Sequence, residues 1–156
     1  MIVFTCHDNF ESMMTCIYDA WAARLGHSNV RLMTEPVVEP ELFCQYRHVN
    51  ADIEKCRMVI RSVRCKISWN AYQDIYRAAL HWDPSKLDII YRFLVLGFSY
   101  GSQVTRMLGN PYVSALFKLT RKVTNESHQF REFIRFSRLN DQALFSLIEP
   151  KCNILT

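Results

Sequence analysis

Apolar positions along the chain recur mainly at helical spacing. Tyr112, Leu116, Leu119, Val123, Phe130 and Ile134 stack into one stripe on a helix expected from Asn110 to about Arg138. Asn110 suits the cap. Pro111 suits the first helical position, where a missing N–H costs nothing. Opposite the stripe fall Arg121, Asn125, His128, Glu132 and Arg135, a row offering donors, one imidazole and one carboxylate. A solvated face laced with ion pairs fits that row, and so does a working surface.

The same period places four more helices. Asp8 or Asn9 caps one that runs to about Leu25 and stops at Gly26, with Phe10, Met13, Met14, Ile17, Trp21 and Leu25 on its apolar side. Asn50 caps a second, to about Lys66, burying Ile53, Cys56, Ile60, Val63 and Ile67. Ser68 starts a third that carries Trp69, Tyr72, Tyr76, Ala79 and Leu80 inward and ends before Pro84. Ser85 caps a fourth, about Lys86 to Leu108, apolar nearly all round from Leu87 to Phe98 except for Asp88 and Arg92. That run is too short and too charged for a bilayer, which needs about 20 apolar residues, so it predicts a buried core helix. Gly97 and Gly101, four apart, are expected to let a neighbouring backbone approach, each costing about 1 kcal/mol of helix propensity.

The strand-like runs are short: Ile2 to Phe4, Val30 to Met33, Ile134 to Leu139 and Ala143 to Ile148, the last two joined by a tight turn at Asn140-Asp141. Between Thr34 and Val49, Pro36 and Pro40 forbid a continuous element. The expectation there is an extended loop anchored by Leu42 and Phe43, with Tyr46-Arg47-His48 as ordinary loop or strand edge. Together the elements predict one α+β domain over residues 1–156. It is mainly helical, about five helices, with a small, mostly antiparallel sheet built from the N-terminal strand and the C-terminal hairpin.

Composition agrees with a globular chain. Of 156 residues 49% are hydrophobic and 13% aromatic, and only four are glycine, which excludes disorder and favours long elements. A net charge of +4 is compatible with a polyanionic partner without requiring one. The amino terminus has no basic, signal-like region. The six cysteines include no CxxC pair, so reduced thiols in a cytoplasm are expected.

Several chemistries have no sequence support. There is no Walker loop, no GxGxxG and no GxSxG. His7, His27, His48, His81 and His128 stand singly, so neither a metal site nor a cofactor is expected from spacing. The iron–sulfur triplet CxxxCxxC is absent as well. Arg57, Arg61 and Arg64, four and three apart, form either a phosphate-facing strip or a set of partners for carboxylates on neighbouring helices.

A set of blocks then gains weight from its order: Phe10-Glu11 after the first strand, Leu42-Phe43, Tyr91-Arg92-Phe93 with Gly97 and Gly101, Arg121-Lys122-Val123, Glu126, His128, Phe130, Arg135-Phe136, Ile148-Glu149-Pro150 and Asn153-Ile154-Leu155. In these the chain resembles, over essentially its whole length, the bacterial DNA metabolism protein family, a DUF4130-type domain. The resemblance implies association with a radical-SAM protein acting on DNA, and relatives join such a domain to a glycosylase-like one. Two departures stand out. Cys6-His7-Asp8-Asn9-Phe10-Glu11-Ser12 replaces a Tyr-Asp-Gly-Ser-type turn and a following glycine. Relatives also continue past Asn153-Ile154-Leu155 into a Pro-His-Phe block, so a C-terminal segment is expected to be missing.

Three functions follow as expectations. An accessory module would hold DNA for a radical-SAM or glycosylase-type partner, with Arg57, Arg61, Arg64, Arg121, Lys122, Arg131 and Arg135 on phosphates and Tyr46 stacking a base. An enzyme acting on bases or glycosidic bonds would use His128 as general acid or base, Asn125 to orient the substrate and Glu132 to tune the imidazole. A pure interaction subunit would present its apolar tail and hairpin edge. No membrane contact is expected.

Overall fold

The computed structural model describes residues 1–139 and 143–155. Five α-helices and two small sheets make an α+β, mainly helical molecule. The chain begins β1 (Ile2–Cys6), α1 (Phe10–Ala22), β2 (Val30–Thr34) and β3 (Gln45–His48). It continues with α2 (Ile53–Lys66), α3 (Trp69–Ala79), α4 (Lys86–Tyr100) and a 3₁₀ segment (Gly101–Arg106). Then come α5 (Pro111–Phe133), β4 (Ser137–Leu139) and β5 (Ala143–Phe145). The expected turn at Asn140-Asp141 lies outside the described residues.

The first sheet is parallel, in the order β2-β1-β3, and the hairpin β4–β5 is a separate antiparallel pair. This corrects the expectation of one mostly antiparallel sheet. The physical reason is connectivity: β1 reaches β2 through the whole of α1, and a helical crossover returns the chain in the same direction. Of the two readings of Tyr46-Arg47-His48, loop or strand edge, the second holds: β3 is an edge strand whose four residues are all exposed and whose backbone is tied to β1. Leu42 and Phe43 are exposed instead of anchoring the loop. That loop is held by Arg31 to Glu41 and by the Glu41 N–H donating to the Tyr46 hydroxyl at 2.7 Å.

Four of the five helix starts are capped by a side chain, whereas Ser85, the expected cap of α4, makes no such bond because its own backbone is already helical. Asn9 Oδ1 accepts from the Ser12 N–H, Ser68 Oγ from Ala71 and Asn110 Oδ1 from Tyr112. Asp52, not Asn50, caps α2, because its carboxylate takes the N–H groups of Glu54 and Lys55. α4 ends at Tyr100, short of the expected Leu108, where Gly101 adopts φ 60° and ψ −143°. Of the two glycines expected to let a backbone approach, Gly101 has the Lys66 carbonyl oxygen close by, whereas Gly97 faces the Ile67 side chain.

One apolar cluster joins Phe4, Val30 and Leu32 of the sheet to residues of all five helices. α1 packs on β1 and β2, α4 on β2, and α5 on α3 and α4. α3 is turned from its expected orientation. Ala71, Ile75, Ala78 and Ala79 are buried, whereas Trp69 is exposed and Tyr72 and Tyr76 are half-buried. Small alanines let α5 close on that side, which pushes the aromatic row to the flank. Along α5 the buried residues are Val113, Leu116, Leu119, Thr120 and Val123, so its last turns leave the core.

Candidate functional site

The row Arg121, Asn125, His128, Glu132 and Arg135 is exposed throughout. Its last four members stand beyond Val123, the last buried residue of α5. Glu126, one turn away, is engaged elsewhere: its carboxylate accepts the Lys151 N–H at 2.5 Å and the Cys152 N–H at 3.1 Å. Burial pushes that carboxyl up, but the hydrogen bonds from Cys152 and Lys151 outweigh it and hold it below the usual range. Cys152 is buried, and the Asn153 N–H donates to Leu80 O at 2.9 Å, so this part of the tail is docked. Burial, then the Glu126 hydrogen bond, push the Cys152 thiol up to about 11. All six cysteines are free thiols.

The arginine strip is better placed. Arg57, Arg61 and Arg64 line a groove of about 570 Å³ with Ile60, Cys65 and Trp69. The Arg64 guanidinium lies over the Trp69 indole, 4.5 Å from its centroid. Arg57 pairs with Glu54 of its own helix at 3.0 Å, an exposed pair of the kind worth roughly 0–1 kcal/mol. Among the described residues Arg61 and Arg64 have no carboxylate partner, so the expected alternative of pairing with neighbouring helices is not realised for them. Trp69 continues into a second recess with Tyr72, Gln73, Tyr76 and Arg77. The aromatic row that α3 turned outward thus abuts the cations of α2.

The remaining residues of the expected set do not converge on this groove. α2 packs on α1 and α3, while Arg121, Lys122 and Arg131 belong to α5, which packs on α3 and α4, and Arg135 follows just after it. Tyr46 sits on β3, its hydroxyl holding the loop.

A third constellation escaped the sequence pattern. His7 follows β1, Glu35 follows β2 and His48 ends β3. One ligand-type atom from each lies within 4.8 Å of the others. His48 Nδ1 is 2.7 Å from Glu35 Oε1, and His7 Nδ1 is 3.7 Å from Glu35 Oε2. The hydrogen bond to His48 holds the Glu35 carboxyl below its ordinary range, and the same bond raises the His48 imidazole. The three are far apart in sequence, and only parallel pairing of their strands brings them together. The one available signal was that each stands at the end of an extended run.

A family model described as a domain of unknown function, DUF4130, matches residues 84–156. That stretch runs from the start of α4 through α5 to the hairpin and tail, and includes Tyr91-Arg92-Phe93 and Asn153-Ile154-Leu155. Phe10-Glu11 and Leu42-Phe43 lie outside it. No curated protein and no solved structure matches the chain.

Proposed function

We propose that this chain is an accessory protein of DNA metabolism that holds single-stranded DNA in the α2–α3 groove for a partner enzyme of the radical-SAM or glycosylase type. The carrying observation is the Arg64 guanidinium stacked on Trp69 inside a groove walled by Arg57 and Arg61. Phosphates need cations free of competing carboxylates, and Arg61 and Arg64 meet that need. Bases need a π-face, and 49% of the Trp69 surface stays open. Stacking on such a face is worth about 1–3 kcal/mol per base and tolerates any sequence. α2 as a whole sets Lys55, Arg57, Arg61, Arg64 and Lys66 against Glu54 alone. Duplex DNA hides its base faces, so the aromatic row favours a single strand.

Fluorescence anisotropy with a labelled oligonucleotide tests this. Three neutralised phosphates give a slope of about −2 for log K against log salt on a single strand. Replacing Arg61 and Arg64 by alanine should bring the slope to about −0.7. No binding at low salt, or binding indifferent to both replacements, removes the proposal.

A second reading rests on Phe133, Phe136, Leu144, Phe145 and Leu147, which are exposed in and beside the hairpin. Contiguous exposed apolar surface marks protein contacts. A radical-SAM partner retained after nuclease treatment supports it, whereas a partner lost together with the DNA assigns the contact to nucleic acid.

A further inference from the structure

We infer that His7, Glu35 and His48 form a binding site for a first-row divalent transition-metal ion, with Zn²⁺ as the reference occupant. The inference is independent of the nucleic-acid groove and rests on the other end of the chain.

The sheet positions the three residues. β1 is the central strand, with β2 on one side and β3 on the other, and all three run parallel. Ligands of open parallel sheets bind beyond the carboxyl ends of the strands, where connections diverge to opposite sides. Here the Glu35 N–H donates to Cys6 O at 2.9 Å and the Val49 N–H to Thr5 O at 2.8 Å. The backbone that carries Glu35 and His48 is therefore tied to β1 right up to the site.

The donor geometry is close to that of an occupied site. Ligands about 2.0–2.2 Å from a tetrahedral Zn²⁺ stand roughly 3.4 Å from one another. His48 Nδ1 lies 2.7 Å from one Glu35 oxygen and His7 Nδ1 3.7 Å from the other, and one ligand atom from each of the three residues lies within 4.8 Å of the others, so side-chain adjustments of roughly 1–1.5 Å bring the set to that spacing. The proton that links His48 Nδ1 to Glu35 stands where the metal would.

His48 is also oriented from behind. Its Nε2 lies 3.2 Å from Asn50 Oδ1, an acceptor that keeps the N–H on Nε2 and aims Nδ1 at Glu35 and His7. A second group holding the remote imidazole nitrogen is the usual support of a metal-bound histidine. Two imidazoles and a carboxylate suit Zn²⁺ or Fe²⁺ better than the all-oxygen shells that Mg²⁺ and Ca²⁺ prefer. Three protein ligands leave one position open. A cleft of about 540 Å³ includes His7 and Glu35 in its wall, together with Thr5, Pro36, Val37, Pro40 and Tyr46, and this gives that position room for water or a small ligand.

Calorimetric titration of the chelator-treated full chain with Zn²⁺, repeated with Co²⁺ followed by absorption, decides the matter. One ion per chain is expected, with a rise in melting temperature and a Co²⁺ spectrum free of thiolate charge transfer. His7→Ala and Glu35→Gln should each weaken binding at least about tenfold, and Asn50→Ala by about tenfold. Cys65→Ser, at an exposed thiol, should leave it unchanged. His7 is exposed, and among the described residues the polar contact of its imidazole is the 3.7 Å approach to Glu35, so circular dichroism of His7→Ala should match the unaltered protein. Absence of stoichiometric uptake overturns the inference. So does uptake that survives His7→Ala combined with His48→Ala, or a thiolate signature with Co²⁺.

Discussion

Lys86 is a buried ammonium, with 3% of its side chain exposed, and two groups answer for it. Its Nζ lies 2.6 Å from Asp8 Oδ1 and 2.6 Å from the His81 carbonyl oxygen. Asp8 is nearly half exposed, so the two partners differ in what their removal leaves behind. Asp8→Ala strands a buried charge and should cost about 1.5–3 kcal/mol in urea unfolding, the range for hydrogen bonds to charged groups. Lys86→Met removes the charge itself and leaves a carboxylate that water can reach, so it should cost less than Asp8→Ala. Equal losses would show that packing, not charge, governs the position. His81, beside this pair, is fully buried. Its Nδ1 accepts the Asp83 N–H at 3.0 Å, and its Nε2 has no partner among the described residues. Burial, then Lys122 and Lys86, hold its imidazole below the ordinary value, against the smaller pull of Asp83 and Glu126. The sign follows: the unfolded chain takes the proton first. This contribution is therefore intact above about pH 6.5 and is lost as pH falls from there toward the folded value. Urea midpoints measured across that window should decline in the unaltered protein and decline less in His81→Asn, which keeps an acceptor for the Asp83 N–H.

Among the elements, helices were the legible part and strand partners were not. The presence of all five helices follows from apolar periodicity, although α3 buries a face other than the stripe read for it and Ile53, expected on the buried side of α2, is exposed. β3 reads as either loop or strand edge, with nothing to decide between them, since Gln45, Tyr46, Arg47 and His48 are all exposed and backbone pairing leaves no mark on composition. The rotation of α3 was missed for a related reason. Large aromatics look like core, whereas the buried face of α3 is Ala71, Ile75, Ala78 and Ala79, mostly small residues that a hydrophobicity pattern underrates. The arginine strip was legible from its spacing, but its partner Trp69 was assigned to the interior. The His7, Glu35 and His48 cluster was invisible until the strand order was known. The α2–α4 contact carries its own test. A Cβ at Gly97 would meet Ile67 Cδ1 at 2.4 Å, so Gly97→Ala gains up to about 1 kcal/mol of helix propensity against a local clash. Ile67→Val removes the clashing methyl and alone should cost about 0.5–1.5 kcal/mol. The double variant should then be more stable than the sum of the singles by at least about 0.5 kcal/mol. Strict additivity in chemical denaturation would mean that Ile67 already has room to turn.

For the molecule as a whole, the open question is how its positive charge is used. The net charge of +4 is small, so any polyanion site depends on local arrangement more than on the overall field. Two groups of cations among the described residues can be set against each other. One lines a groove on α2 beside an aromatic row. The other, Arg131 and Arg135, lies around the C-terminal end of α5, past its last buried residue, with both side chains exposed. A formal charge count does not tell one arginine from another, yet only the first group combines cations with a wall and an open indole. Single-strand binding that depends on the groove should therefore discriminate between them. Arg61→Ala with Arg64→Ala should flatten the salt dependence by about 1.4 in slope, the effect of two phosphates on a single strand. Arg131→Ala with Arg135→Ala should leave that slope within about 0.3, since no phosphate is lost from the count. Trp69→Ala should weaken binding by about 1–3 kcal/mol while leaving the slope alone, because stacking displaces no counterions. Equal flattening by both arginine pairs would instead describe a strand lying across α3 from one group to the other, and a Trp69 variant with unchanged affinity would take the base-stacking role away from the groove.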